Sequence, residues 1–347
     1  MSKILVTGAA GFIGSQLAHA MWQLGDDVIL LDDFSYGKED NLIFDDCDFR
    51  GKVIKCDVCN REALDLLFST NCFDYVYHIG AITPLPDCQT NPGRATEVNV
   101  VGTVNILELS RKYGVKKVIF SSTSAVYENC DVFPTKESDT ITTTLVYSTT
   151  KYASELFCRA FSEAYGLNIT VLRFANVYGP HIDCLRTQPP VAGYIIRELY
   201  YNRPVVLHSS GNQRRDFVYV DDLIRLAILV QKGEGFDIVN VSTSKTLSIN
   251  ELYNHIAKIM DKNVEPVYKA SNHYWYRYPS LYEGSYKISS RILENEVNKH
   301  TECSNMVAFT KYGWKPEVSI EEGLRRTVEF SINAIKKFDG NCGSDND

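Results

Sequence analysis

Tyr147 stands four residues before Lys151 in "LVYSTTKYASE", and four hydroxyl residues in a row, Ser121 to Ser124, close the apolar run "KVIF" upstream of it. At i,i+4 spacing on one helical face, a lysine ammonium can lie near a phenol. Such a cation lowers a phenolic pKa from ~10 toward the working range and makes Tyr147 a usable proton acceptor. A second match to the spacing, Tyr113 with Lys117, is broken by Gly114. Tyr113 there falls at a helix end and Lys117 opens the next strand, so that pair reads as structural.

The N-terminal stretch "ILVTGAAGFIGSQL" sets Gly8, Gly11 and Gly14 between an apolar strand and a helix. Glycines there let the backbone turn tightly and approach a pyrophosphate, while the helix start, Phe12-Ile13-Gly14, offers unpaired N–H groups to the anion. The next strand, "DVILLD", ends in Asp32, followed by Asp33 and Ser35. An acidic side chain at that point accepts hydrogen bonds from ribose hydroxyls and repels a 2'-phosphate, which favours NAD over NADP. Asp57, with Val58 just past the third strand, is placed to reach the adenine. His78, on the apolar strand "YVYHI", reads as a satisfied core histidine.

These residues need a frame. The first half alternates short β-rich runs ("KILVT", "DVILLD", "KVIKC", "FDYVYHI", "KKVIFSS", "NITVLRF") with amphipathic helical stretches, which predicts an α/β fold with a parallel sheet wound on both faces. Two helices are long, roughly 92–113 and 147–165, each stopped by a glycine. After Phe174 the rhythm breaks into a Pro- and Tyr-rich region and then resumes with "DFVYVDDLIRLAILV" and "FDIVNVS". A smaller second domain is therefore interleaved with the first. The expected division is 1–175 with 216–242 for the dinucleotide domain and 176–215 with 243–338 for the substrate domain, leaving 339–347 as a disordered tail.

The chain has 347 residues, 44% of them hydrophobic, enough for a large core. A net charge of -7 and a pI near 5.6 argue against nucleic acid or an anionic membrane as the main partner. The N-terminus lacks the build of a secretory signal and no stretch approaches the ~18 apolar residues of a membrane span, so a cytoplasmic protein is expected. The 10 cysteines have no disulfide-scaffold spacing. Cys56 and Cys59 have no second pair or nearby His to complete a zinc site, and no metal is expected.

Together these features resemble the extended short-chain dehydrogenase/reductase family, in particular its sugar-nucleotide epimerases and dehydratases. The resemblance covers nearly the whole chain and rests on "TGAAGFIG", "DDFSYGKEDNL", Asn99 within "EVNVVGT", "SSTSAVY", "YSTTK", "RFANVYGP" and "RRDFVYVDD". It implies a Rossmann-type NAD domain and a nucleotide-sugar substrate. Thr123 then takes the Ser/Thr position that bonds the reacting sugar hydroxyl, Tyr147 is the base, and Lys151 holds the nicotinamide ribose. Gly80 and Ala81 line the cofactor, Ser121 lies near the nicotinamide, and Thr83 and Ser124 face the substrate. Asn99 is structural. Asn176 and Arg215 match positions that hold the diphosphate, with Arg214 a solvated neighbour and Arg277 a further phosphate ligand. The chain departs from the family here, since Arg277-Tyr278-Pro279-Ser280 stands where Arg-x-Gly-Asp is common. The resemblance also implies a homodimer formed by the two long helices.

The resemblance implies a first step that oxidises the sugar at C4. The resemblance implies that 4,6-dehydratases follow the Thr with an Asp and a Glu, and that the decarboxylases carry a glutamate at the second position. Here those positions are Ser124 and Ala125. Alanine transfers no proton and a serine hydroxyl is a poor acid, so C4 epimerisation of a UDP-sugar is expected. The alternatives are a dehydratase using other acids, with His181 or Cys184 as candidates, epimerisation or reduction elsewhere on the sugar, and a non-enzymatic NAD-binding module.

Overall fold

Strand and helix alternate through the first half of the computed structural model, which describes residues 1–281, 283 and 287–344. The order is β1 (Lys3–Thr7), α1 (Phe12–Gln23), β2 (Asp27–Asp32), β3 (Val53–Lys55), α2 (Arg61–Thr70), β4 (Tyr75–His78), α3 (Leu85–Thr90), α4 (Pro92–Thr96), α5 (Gly102–Lys112), β5 (Lys117–Thr123), α6 (Val146–Tyr165) and β6 (Ile169–Phe174). Then follow β7 (Asn176–Tyr178), α7 (Val191–Tyr200), β8 (Val206–His208), β9 (Arg214–Tyr219), α8 (Val220–Leu229), β10 (Phe236–Val241), β11 (Thr246–Ser248), α9 (Ile249–Ile259), β12 (Val267–Lys269), α10 (Ser290–Asn298), α11 (Met306–Tyr312) and α12 (Ile320–Ser344).

Seven strands form one parallel sheet in the order β3-β2-β1-β4-β5-β6-β10. Its central members β1, β4, β5 and β6 are buried almost throughout, as strands covered by helices on both faces must be. Helix α1 buries Gly14, Leu17, Ala18 and Met21, an i, i+3, i+4, i+7 stripe. The strand order reverses between β1 and β4. In a doubly wound sheet the carboxyl ends of those two strands flank a ligand crevice.

The long helix read at 92–113 forms, but with a π turn, Glu97–Val101, joining α4 to α5. It ends at Gly114 with φ +68°, and α6 ends at Gly166 with φ +71°. The Tyr113–Lys117 match forms no pair: the Tyr113 hydroxyl donates to Asp65 at 3.1 Å, and Lys117 Nζ donates to the Gly233 carbonyl at 2.7 Å.

The chain divides into two compact units, 1–175 with 223–241 and 303–315, and a smaller one of 176–222, 242–302 and 316–347. Two segments thus change sides from the expected division. Residues 216–219 belong to β9, which pairs with β7 and β11 in a three-stranded sheet of the smaller unit. Residues 303–315 return to the larger unit, where Ser304 N–H donates to Thr135 O at 2.8 Å and Lys311 pairs with Asp237 at 2.8 Å. The expected tail also differs. Helix α12 continues through Asp339, which accepts the Tyr201 hydroxyl at 2.7 Å, and on to Ser344, while 345–347 lie outside the described residues.

Candidate active site

Three backbones converge at the end of β1. Gly8 adopts φ +68°, and a Cβ built on it would lie 2.7 Å from the Cα and N of Gly80. A Cβ on Gly14 would lie 2.0 Å from the Gly8 carbonyl oxygen, so only glycine lets α1 pack against the turn. Gly11 caps α1 with no side chain, and the first-turn amides of Phe12, Ile13 and Gly14 have no intrahelical acceptor. The Gly80 N–H donates to the Thr7 hydroxyl at 3.1 Å, which holds Gly80-Ala81 beside the turn.

Asp32 is buried at the end of β2, where its two oxygens accept the Ala10 and Phe34 amides at 2.9 and 2.8 Å. Burial raises its pKa against those two bonds. One bond per oxygen leaves lone pairs for ribose hydroxyls. Asp33 closes its own turn by accepting the Ser35 amide and hydroxyl at 2.9 and 2.6 Å. Asp57 accepts the Cys59 amide at 2.8 Å and the Arg94 guanidinium at 2.5 Å. Its partial burial works the other way, but those two donors hold its carboxyl below the usual range. Val58 packs against Gly102, where an added Cβ would meet its Cγ2 at 2.5 Å. Close-approach glycines, a helix start without a side-chain cap and an acidic strand end fit a dinucleotide.

Thr123 ends β5, and its hydroxyl accepts the Ala125 amide at 3.1 Å, opening a one-turn 3-10 helix, Ser124–Tyr127. Tyr147 is the second residue of α6, and its phenol lies within electrostatic reach of the Thr123 hydroxyl. Thus β5 and α6 bring the expected proton-transfer pair together. The expected electrostatics differ. Burial pushes the Tyr147 phenol up to about 12, opposed by the Thr123 hydroxyl. Lys151 is 3% exposed, and its ammonium sits 4.7 Å from the centroid of the Phe120 ring. Burial brings it down to about 8, against the pull of Cys158, Glu155 and Cys88.

The floor beneath these groups is polar and closed. Ser121 donates to the His78 carbonyl at 3.1 Å. Ser122 donates to Glu155, which Arg173 grips at 2.6 and 3.0 Å, and Arg173 also reaches the Tyr127 hydroxyl at 2.7 Å. The sequence reading contains neither Glu155 nor Arg173, although Glu155 follows Lys151 at i+4 on the same helical face. His78 pairs with Thr7 at 2.8 Å and Thr103 at 3.1 Å, and burial, with the Lys151 charge adding, brings it down to about 3. It is a neutral core histidine. Asn99 bridges the Ile82 amide and carbonyl at 2.8 and 3.0 Å and the Thr150 hydroxyl at 3.0 Å. Thr83, next to Ile82, is exposed, and Ser124 is buried.

In the smaller unit the Asn176 amide donates to the Asp216 carbonyl at 3.0 Å. Arg215 donates to the carbonyls of Arg214, Glu296 and Val297 at 3.1, 3.3 and 3.2 Å. Burial lowers its pKa to about 10 against the attraction of Glu296. Arg214 is not simply solvated, because it donates to the Thr246 hydroxyl and carbonyl at 2.8 and 2.7 Å and pairs with Glu251 at 3.2 Å. Arg277 ends a 3-10 segment, Ser271–Arg277, and its side chain lies outside the described residues. His181 and Cys184 are buried within this unit, His181 stacked 4.7 Å from the Phe330 ring and Cys184 directed at the Ser331 carbonyl. Among the described residues, one grouping of possible metal ligands occurs, His19, Asp46 and Cys47, with His19 and Asp46 hydrogen-bonded at 2.6 Å.

Residues 4–242 match the family model described as the NAD dependent epimerase/dehydratase family. A UDP-glucuronate 4-epimerase of Thermodesulfobacterium geofontis is 30% identical, over 97% of this chain and 98% of its own length. A dTDP-D-glucose 4,6-dehydratase of Mus musculus is also 30% identical, over 94% of this chain and 88% of its own. The crystal structure of the Thermotoga maritima UDP-glucose 4-epimerase with UDP-glucose is similar at TM-score 0.84 and 32% identity, covering 96% of this chain and 99% of that one.

Proposed function

The chain belongs to the NAD-dependent epimerase/dehydratase family, and on that premise we propose that it interconverts a UDP-hexose or UDP-N-acetylhexosamine with its C4 epimer through a transient 4-keto sugar. NAD, when bound, supplies the acceptor and later donor of the C4 hydride, and a positive charge beside the phenol. The residues that would hold it are the glycine turn with Phe12 and Ile13, the Asp32-to-Ser35 strand end, Asp57-Val58, Gly80-Ala81, Ser121 and Lys151. Tyr147 takes the proton of the C4 hydroxyl, which Thr123 orients through its own hydrogen bond, and returns it to the opposite face product. Asn176 and Arg215 would take the diphosphate, since the Arg215 guanidinium is held by backbone carbonyls and its charge and planar fork suit a diphosphate. Thr83, Ser124 and Arg277 complete the proposed substrate contacts.

The observation that carries epimerisation over elimination is the Ser124-Ala125 pair directly after Thr123. A 4,6-dehydration needs an acid for the departing C6 hydroxyl and a base for the C5 hydrogen. Neither position supplies one, and Glu155 is bound to Arg173 and Ser122. We further propose a cytoplasmic homodimer joined through α4–α5 and α6, which expose Val101, Leu156 and Phe157.

The test is to mix the enzyme with UDP-glucose, UDP-N-acetylglucosamine and their C4 epimers and follow the anomeric protons by NMR. Interconversion of at least one pair is expected. No interconversion of any pair would sink the C4 assignment for UDP-sugars, and a 6-deoxy-4-keto product would mark a dehydratase.

A further inference from the structure

Helix α6 carries Tyr147 and Lys151, yet Leu145 at its N-cap position has no capping side chain. The unpaired amides of a helix start need acceptors, and here they come from other elements. Oε1 of Glu128 accepts the Thr144 amide, the Leu145 amide at 3.0 Å and the Thr144 hydroxyl at 3.1 Å. Its Oε2 accepts the Ser148 hydroxyl at 2.8 Å. Oε1 of Gln89 takes the Val146 amide at 3.2 Å. Because Tyr147 lies between Leu145 and Ser148, the two carboxylate oxygens of Glu128 hold the chain on both sides of it.

The backbone of Glu128 is fixed as well. Its amide donates to the Ala125 carbonyl at 3.1 Å, closing the 3-10 turn that Thr123 opens. We propose that Glu128 is a positioning residue that joins the end of β5 to the start of α6 and so sets the Thr123–Tyr147 geometry for proton transfer. This rests on the function proposed above. Thr144 lies 16 positions after Glu128 in sequence, and the carboxylate replaces that long path with a direct link. A negative charge at a helix start also interacts with the helix dipole, so reach and charge have to be separated.

Two substitutions separate them. Glu128→Gln keeps the reach and, in its carbonyl oxygen, an acceptor for the three Oε1 bonds, while losing the charge. Glu128→Asp keeps the charge but is one methylene too short. The expected result is kcat within about threefold of wild type for Glu128→Gln and a fall of about 10- to 100-fold for Glu128→Asp, with KM within about twofold in both. Amide hydrogen exchange over residues 144–151 is expected to quicken in Glu128→Asp and not in Glu128→Gln. Wild-type kcat in Glu128→Asp, or an equal fall in both variants, would overturn the positioning role. If the wild type turns over no C4 pair, the failure lies with the function, and exchange alone decides this proposal: unchanged exchange in Glu128→Asp overturns it, and faster exchange supports it.

Discussion

Lys151 is 3% exposed, its ammonium 4.7 Å from the centroid of the Phe120 ring and within electrostatic reach of Glu155. Desolvation disfavours the charged form, and here it outweighs the attraction of the neighbours. The folded-state pKa, about 8, lies below the ordinary lysine value of 10.5. Between those two values the unfolded chain holds a proton that the folded chain has released, so the contribution of this site to stability rises with pH through that window. Below about 8 the buried charge costs its full penalty. Lys151→Met is therefore expected to raise the unfolding free energy at pH 7 by about 2 to 3 kcal/mol, with the gain shrinking toward pH 10.5, while turnover falls by roughly 100-fold or more. Urea unfolding at pH 7 and pH 10, with kcat measured alongside, checks both. A loss of stability at pH 7 would mean that the contacts of the ammonium outweigh its desolvation. The residue types and their i,i+4 spacing were legible in the sequence, but the sense of the pKa shifts was not, because it depends on how deeply the folded chain buries the two side chains.

Helices α4 and α5 show the same division at the level of the element. Their outer limits were legible, since Pro92 suits a first turn and Gly114 allows the left-handed residue that ends the run. The π turn between them was not, because it is set by side-chain bonds across space. Asn99 lies in that turn, and its amide satisfies both the amide and the carbonyl of Ile82 while reaching Thr150 on α6. The loop after β4, which carries Ala81 and Thr83, is thereby tied to the helix that carries Tyr147. Asn99→Ala leaves the buried Ile82 amide unpaired, at roughly 1 to 3 kcal/mol, and leaves the Ile82 carbonyl only the weak Cys88 thiol donor at 3.4 Å, at a smaller cost. The expected loss in urea-derived stability is about 2 to 4 kcal/mol, and a loss under about 1 kcal/mol would show that water replaces the amide without cost.

At the scale of the whole molecule, the parallel sheet and the interleaving of a second unit follow from strand-helix alternation and its interruption after Phe174, but the points of exchange do not. Residues 216–219 read equally well as an inner strand of the main sheet, and only their pairing with β7 and β11 assigns them. Residues 303–315 bear no local mark of the unit they return to, because the bonds from Ser304 to Thr135 and from Lys311 to Asp237 span long stretches of sequence. The proposed homodimer has no mark in the pattern of one chain beyond exposed apolar side chains that would suit it: Val101, Leu156 and Phe157 are 47%, 50% and 41% exposed on α6 and the turn before α5. Covering these side chains in both copies of a dimer would contribute on the order of 5 kcal/mol, comparable with the low end of what association costs, about 4 to 15 kcal/mol. Two glutamates in their place would remove that gain and bring like charges into the interface. Light scattering after gel filtration at micromolar concentration is expected to give twice 39.2 kDa for the native chain and a single-chain mass for Leu156→Glu/Phe157→Glu. A monomeric native chain would refute the dimer, and a double variant that stays dimeric would move the interface off α6.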